Sequence, residues 1–479
     1  MIEILNYIGG QFESSVSGKV LDNVNPSNGE IYSTIPASDA QDVEKAYKAA
    51  SQAFPIWSKT PKQKRSQIMM AIANGVKDNL EALAMAEAKD NGKPLSLATA
   101  VDIPRAASNM EFFATAILHD QQHAYDMDGT AINYTQRKPL GVVGCISPWN
   151  LPLYLFTWKI APALASGNCV IAKPSEMTPM TAYLFGKICK DAGLPDGVLN
   201  IVHGLGGDVG QAIVEHPNIP AISFTGGTVT GAHISKITGP MFKKTSLELG
   251  GKNPVIIFDD CDFDKMLSGV VRSSFANQGQ ICLCGSRIYV QKGIYEKFKA
   301  EFVSRVKQLT VGNPFHESTK VGAVVSEAHM NKVLSYVALA KEEGGIIETG
   351  GERVFPEGFE NGFYLSPTVI SGLDNTCRTN QEEIFGPVVT IMPFDTQEEA
   401  LEMANDTKYG LTAVVWTKDL NTAHKMAHDL DTGIVWVNTW LLRDLRTPFG
   451  GAKQSGVGRE GGFEALHFFT EEKNICIRI

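Results

Sequence analysis

The sequence of 479 residues predicts an α/β fold: two doubly wound parallel-sheet α/β domains with a small additional β element. Three observations carry this. Short β-branched apolar runs recur from about residue 140, with the near-continuous apolarity of strands buried on both faces. Segments with helical spacing separate those runs, the alternation that βαβ units produce. A second alternating series follows residue 260, and the chain exceeds what one ordinary core organises.

In chain order, "NYIGGQFES" reads as a hairpin and the rest of the first 120 residues as mainly helical. Ser38-x-x-Gln41 and Thr60-Pro61-x-Gln63 both read as capping boxes, the second with proline at the first helical position. The helix from Pro61 is expected to run on to "NGKP" at 91–94. "LGVVGCIS", "NCVIAK", "GVLNIVHG", "PAISFTG" and "NPVIIF" form the first strand series, with helices at "TPMTAYLFGKICKDAG" and "DVGQAIVEH". "RIYVQ", "PVVTIMPF", "TAVVWT" and "GIVWVN" form the second, separated by helices such as "IYEKFKAEFVSRVKQL" and "QEEALEMAND". The stretch 131–139, "AINYTQRKP", and the final "EEKNICIRI" read as strands without a neighbour, able to pair with each other or across a subunit interface.

Composition narrows the function classes. A hydrophobic fraction of 43% and a charged fraction of 20% are those of a soluble globular protein. A net charge of −9 argues against nucleic-acid and anionic-membrane surfaces. The amino terminus lacks the basic start and apolar run of a signal peptide, and no apolar stretch approaches the ~20 residues of a membrane helix. A cytoplasmic location is the expectation. Eight cysteines are too sparse for a disulfide framework, and Cys169, Cys189 and Cys476 read as small core residues. The histidines lack ligand spacing, so no metal is expected.

Chemistry concentrates in a few strings. "FANQGQICLCGSR" at 275–287 holds Cys282 and Cys284, and a disulfide across one residue is geometrically poor. A pair of core cysteines remains open, but the polar run Asn277–Gln280 suits an exposed turn presenting a thiol. "FTGGTVTG" at 224–231 is a strand, a glycine turn and a helix start, suited to a phosphate or to an ordinary turn. "AKPSE" at 172–176 offers Lys173 and Glu176 to the hydroxyls of a ribose, or is a turn with a helix cap. A thiol that oxidises an aldehyde also needs an oxyanion donor and a base. "SPWN" supplies Asn150, "LELGGKNP" supplies Glu248 and "EEIFGP" another carboxylate, although each can be loop chemistry alone.

Taken in order, "GVVGCISPWNLPL", "AKPSE", "FTGGTVTG", "LELGGKNP", "FANQGQICL", "EEIFGPV" and "PFGGAKQSGVGRE" resemble the NAD(P)-dependent aldehyde dehydrogenase superfamily over nearly the whole chain. The resemblance implies an aldehyde dehydrogenase-like fold. It places an NAD-binding domain at 1–120 and 140–250, a catalytic domain at 251–447, and oligomerisation strands at 121–139 and 468–479. It implies Cys282 as nucleophile, Asn150 as oxyanion donor with the backbone N–H of Cys282, and Glu248 as general base for thioester hydrolysis. Relatives that pass the acyl group to coenzyme A do not rely on such a glutamate. Cys284 stands where the family usually has a small residue, and a flexing loop would let it trap oxidised Cys282.

NAD is the implied cofactor, since Glu176 would repel a 2′-phosphate. The implied cofactor contacts are Ile146, Ser147, Pro148, Trp149, Lys173, Ser175, Glu176, Gly206, Gly210, Phe224, Gly226, Gly227, Thr228, Gly231, Leu249, Glu383 and Phe385. Gly227 departs from the serine that many members carry. Homodimers or homotetramers are the implied assemblies.

"VWVNTWLLRDLRTPFGGAKQSGVGREGG", "DIPRAASNMEFFA" and "RSSFANQGQICLC" are similar to the branch containing 2-hydroxymuconic and 2-aminomuconic semialdehyde dehydrogenases. That likeness makes Arg105 and Arg443 a clamp for a distal carboxylate, with Leu151, Trp158 and Trp440 lining the aldehyde tunnel. The competing expectations are ion pairs of the arginines with Asp102 or Asp444 and a broad-range aldehyde dehydrogenase. A non-catalytic scaffold is a third reading, opposed by the presence of both Cys282 and Glu248.

Overall fold

A computed structural model describes residues 1–479. An eight-stranded sheet has at its centre five parallel strands, ordered Lys244–Glu248, Ala221–Thr225, Val142–Ile146, Cys169–Lys173 and Leu199–Ile201. All fifteen residues of Val142–Ile146, Cys169–Lys173 and Ala221–Thr225 are buried, which is why each reads as an apolar run rather than an alternation. The amino-terminal hairpin, Asn6–Ile8 with Gln11–Glu13, extends one edge. Gly456–Val457 caps the other, antiparallel to Lys244–Glu248.

A seven-stranded sheet forms the second unit, ordered Ile346–Thr349, Thr368–Ser371, Val388–Phe394, Gly285–Gln291, Asn253–Ile257, Thr412–Trp416 and Ile434–Val437. It is parallel except for Ile346–Thr349. Asn253–Ile257 ("NPVIIF") therefore belongs to this sheet and not to the first series. It pairs with the next strand, Gly285–Gln291, and with Thr412–Trp416, a partner far along the chain that its own composition does not identify. One apolar cluster runs through both sheets and joins Val143 and Ile171 to Val255 and Ile288.

Other differences from expectation have local causes. Ser38 does not cap the helix Ala40–Trp57, because its hydroxyl accepts from Asn6 Nδ2 at 2.8 Å. Asp39 caps instead, in a box with Asp42. Thr60 turns its hydroxyl back to the Ile56 carbonyl (3.0 Å), so Lys62–Asp78 starts without a side-chain cap. The long helix breaks at Asn79 and resumes as Leu80–Asn91, ending on the left-handed Gly92 (φ 81°). A second hairpin, Val20–Asn25 with Glu30–Pro36, interrupts the amino-terminal region expected to be helical.

Ala131–Pro139 and Thr470–Arg478 pair with each other over nine residues, with Ala124–Asp126 completing a third sheet. Cys476 lies exposed on the outer strand of that sheet rather than in a core. No helix is long and apolar enough to cross a membrane.

Candidate active site

From the central strand Val142–Ile146 the chain winds first to one side of the sheet, then returns to Ala221–Thr225 on the other. The loops after these two strands, 147–151 and 226–227, therefore open at a topological switch point, where sheets of this kind bind ligands. Asn150 sits in the first loop and is buried. Its Nδ2 donates to the Gln280 carbonyl at 2.9 Å, leaving its second amide hydrogen for another acceptor.

The cysteine turn lies against that loop and is buried, not the exposed turn expected. Asn277, Gln278 and Gln280 are each at most 1% exposed. Their polar atoms are used internally: Asn277 Nδ2 donates to the Asn150 carbonyl (2.9 Å), and Gln278 Nε2 to that of Ala323 (3.0 Å). The Gln280 Oε1 accepts from Val325 N–H (3.1 Å). Asn277 and Gln278 hold left-handed backbone (φ 53° and 58°), a conformation costing non-glycine residues roughly 1–2 kcal/mol each. Gly279 follows at φ 69°, where a Cβ would come within 2.2 Å of the Gly386 carbonyl oxygen. Asn253 Nδ2 fixes the far side by donating to the carbonyls of Cys282 (2.7 Å) and Cys284 (2.8 Å). The two sulfurs are thereby separated in environment. Cys282 is half-buried, whereas Cys284 is buried with its Sγ toward the Ala276 carbonyl.

Of the three cavities that Cys282 lines, the smallest also meets Cys284, and the other two are larger. One of the larger two is walled mainly by apolar side chains, among them Leu151, Tyr154, Trp158, Trp440 and Phe449, and also carries Glu248, Glu460 and Arg443. The other is lined by Trp149, Asn150, Gly226, Gly227, Leu249, Glu383 and Phe385. The two cavities share Thr225 as well as Cys282.

Glu248 is buried and its Oε1 has no hydrogen-bond partner. Burial and the neighbouring Glu460 carboxylate push its pKa well above the usual range, against the opposing pull of Lys159 and Arg443. Glu460 is itself held by Lys159 Nζ (2.9 Å) and the Ser223 hydroxyl (3.1 Å). Burial also raises the Cys282 thiol, helped by the carboxylates of Glu248 and Glu383. In the second cavity Glu383 accepts the Gly251 N–H at 2.9 Å, and burial raises its carboxyl.

Neither arginine forms the ion pair that would have made it a purely structural residue. Asp102 is engaged by Lys93 and Asp444 by Arg446. Arg443 donates to the Tyr154 hydroxyl at 2.9 Å, and its guanidinium lies 3.9 Å from the Phe449 ring centre. Arg105 lies over the rings of Tyr154 and Trp158 at 5.4 and 5.8 Å, and its Nε and Nη2 are buried without partners. Burial, with Arg443 nearby, lowers the Arg105 pKa.

The second cavity reaches the end of Ala221–Thr225, and further residues expected to meet a dinucleotide, Lys173 and Glu176 among them, lie outside its lining. Lys173 Nζ and Glu176 Oε2 are 2.8 Å apart beyond Cys169–Lys173, and Ser175 is buried between them in sequence. Gly206–Gly210 forms a single π-turn, with Gly210 beside the Lys173 chain. The helix Thr228–Thr238 begins at Gly227 with no side-chain cap. A Cβ on Gly226 would strike the Phe224 ring at 2.4 Å, and one on Gly231 would strike Leu249 at 2.5 Å, so both positions need glycine for packing. Space beside Gly227 is open. Buried hydroxyls of Ser147 and Thr225 lack partners here; Pro148 lines the cavity, whereas Ile146 is buried in the core at the strand end. Uncapped helical N–H groups, open backbone and unpaired hydroxyls suit a phosphate-bearing cofactor.

Sequence reading missed Glu460, Lys159, Tyr154, Phe449 and His329. Lys159 had a usable signal, as a single lysine within the wholly buried helix Pro152–Ala165. His329 had none: its Nε2 meets the Phe385 carbonyl at 2.7 Å, and its ring packs against Trp149, contacts made only by the fold.

Residues 12–475 match the Aldehyde dehydrogenase family. A 2-aminomuconic semialdehyde dehydrogenase of Mus musculus is 48% identical over 100% of this chain and 99% of its own length. A 2-hydroxymuconic semialdehyde dehydrogenase of Pseudomonas sp. (strain CF600) is 45% identical, covering 100% of each. An aldehyde dehydrogenase from Bacillus cereus, solved as its NAD+ complex, superposes with a TM-score of 0.97 at 38% identity, over 100% of this chain and 97% of that one. Fold, sequence and the convergence of cysteine, glutamate and asparagine at one switch point agree: this chain belongs to the aldehyde dehydrogenase family and is an aldehyde-oxidising enzyme.

Proposed function

We propose that the substrate is an aldehyde carrying a distal carboxylate, of the 2-hydroxymuconic or 2-aminomuconic semialdehyde type, and that the cofactor is NAD. The observation that carries the substrate reading is two arginines without carboxylate partners. Arg443 lines the aldehyde-side cavity, and Arg105 packs on the Tyr154 and Trp158 rings that wall it, with two buried, unbonded donors. Such donors are costly to leave unpaired, and a carboxylate satisfies them bidentately. The named activities of the relatives agree with this reading. For the cofactor, Lys173 and Glu176 would hold the adenosine ribose, the Gly226–Gly231 turn the pyrophosphate, and Glu383 and Phe385 the nicotinamide riboside.

In the reaction the Cys282 thiolate, its proton lost to solvent, attacks the aldehyde carbon. The oxyanion is stabilised by the remaining amide hydrogen of Asn150 and by the Cys282 N–H. Nicotinamide held by Glu383 and Phe385 would supply the hydride acceptor that this oxidation requires. Glu248, a free carboxylate oxygen with an elevated pKa, then takes a proton from the water that releases the acid. The apolar walls exclude bulk water from the thioester until then.

A broad-range activity is favoured only by the apolar lining, and one comparison separates it. The kcat/KM for a carboxylate-bearing semialdehyde is measured against a chain-matched neutral aldehyde in wild type, Arg105→Ala and Arg443→Ala. The acidic substrate is expected to lead in wild type and to lose about 10²-fold in each variant, the neutral one little. No advantage, or one that persists in both variants, refutes the clamp.

The exposed strand Thr470–Arg478, the exposed Ile132 and Ile477, and Tyr125 suit the three-stranded sheet to assembly, as a homodimer or homotetramer. A monomer in sedimentation would refute that.

A further inference from the structure

Beneath the loop that presents Asn150 lies a fully buried charged group with no part in the chemistry above. Lys93 has no exposed side-chain surface. Its Nζ is 2.5 Å from Asp102 Oδ2, 3.7 Å from Glu87 Oε1 and 3.1 Å from the main-chain carbonyl oxygen of Asn150. Removing an ammonium and two carboxylates from water is expensive, and a purely apolar filling would often serve stability as well. What the cluster does here is hold backbone. Lys93 takes the Asn150 carbonyl, Asn91 Nδ2 takes that of Trp149 (2.9 Å), and Glu87 Oε2 accepts the Leu153 N–H (3.3 Å). Three side chains within seven residues thus pin three positions of 149–153.

The segment bearing them is itself fixed. Gly92 is left-handed, and its carbonyl accepts from Ala323 N–H (3.0 Å), next to the carbonyl that Gln278 holds. The same contacts close a ring around the reacting centre. The Asn150 carbonyl is shared by Lys93 and Asn277, while the Asn150 amide donates to Gln280, two residues before Cys282. Asp102, on the other side of Lys93, lines the aldehyde-side cavity.

We propose that Lys93 is a positioning residue for oxyanion stabilisation. Held by Asp102 and Glu87, it fixes the Asn150 backbone so that the Asn150 amide meets the oxyanion formed on Cys282. The proposal rests on reading Asn150 as the oxyanion donor. Its ordering is physical: a donor misplaced by about 1 Å forfeits much of its effect on the transition state.

The test is a double-mutant cycle on the first turnover, read as the burst of reduced nicotinamide from the intact enzyme. Lys93→Met is expected to slow the burst by about 30-fold where Asn150 is present, and by less than about threefold in an Asn150→Ala background. Asp102→Asn, which leaves the lysine in place, serves as the milder second variant. It is expected to slow the burst about fivefold and to add little to Lys93→Met. The rate of acid release from the accumulated acyl enzyme is expected to change little in Lys93→Met. Equal slowing of the burst with and without Asn150 overturns the proposal, as does an unslowed burst in both Lys93→Met and Asp102→Asn. An unchanged burst in Asn150→Ala alone refutes the oxyanion reading itself, and this proposal with it.

Discussion

The two larger cavities beside Cys282 are built differently. On the aldehyde side, side chains define the space: rings and leucines for walls, with Glu248, Arg443 and the nearby Arg105 held in low-dielectric surroundings. On the opposite side, backbone matters more. Gly226, Gly227 and Gly250 line it, and the Gly251 N–H fixes Glu383. The first arrangement suits choice among substrates, because buried unpaired groups penalise the wrong ligand. The second suits a cofactor common to many enzymes, since backbone contacts do not change when side chains do. Variants on the two sides should therefore fail in different ways.

The largest expected effect is at the shared sulfur. Cys282→Ala is expected to lower kcat/KM by about 10⁴-fold or more, and Cys284→Ala by less than about threefold, both from steady-state rates. Comparable losses would dissolve the distinction between the two sulfurs. Next comes Glu248→Gln, expected to cut steady-state turnover by about 10²–10⁴-fold while sparing the first-turnover burst.

That substitution also has a sign in stability. The folded-state pKa of Glu248 is raised above its unfolded value, so the carboxylate weakens the fold as pH rises from the unfolded pKa through the folded one. Glu248→Gln should raise the Tm at pH 8 by about 2 °C and leave it unchanged near pH 4. A gain at both pH values would point to packing instead. The same shift predicts that thioester hydrolysis slows as pH falls, while the raised Cys282 thiol makes acylation quicken as pH rises. Flat profiles in single-turnover assays between pH 6 and 9 would contradict both.

The smallest effect belongs to the cofactor side. Glu176→Gln is expected to improve kcat/KM for NADP about 10-fold, with the KM for aldehyde unchanged. A wild-type preference for NADP would overturn the role given to Glu176.

The same contrast explains what was legible in the sequence. Strands buried on both faces announce themselves as apolar runs, so four of the five central strands of the first sheet were legible; Lys244–Glu248, with its polar, half-buried start, was not. The glycine turn at 226–231 kept its signature. The pairing of Asn253–Ile257 with Thr412–Trp416 was not legible, because register there is decided between residues over a hundred positions apart. Nor was the burial of Asn277–Gln280. A polar, glycine-containing run looks exposed until the carbonyls of Asn150 and Ala323 and the N–H of Val325 are known to satisfy it. The freedom of the arginines was invisible for the same reason. Asp102 and Asp444 stood close in sequence to Arg105 and Arg443, and only the fold gives them to Lys93 and Arg446.

The central proposal is that the Cys282 sulfur holds the acyl group where the two cavities meet, and that Glu248 releases it. Mass analysis of Glu248→Gln mixed with NAD and aldehyde tests this directly. One NADH per chain is expected in the burst, with one acyl group, lost on mild hydroxylamine treatment, on the peptide bearing Cys282. Full turnover with no adduct, or an adduct on Cys284, would contradict it.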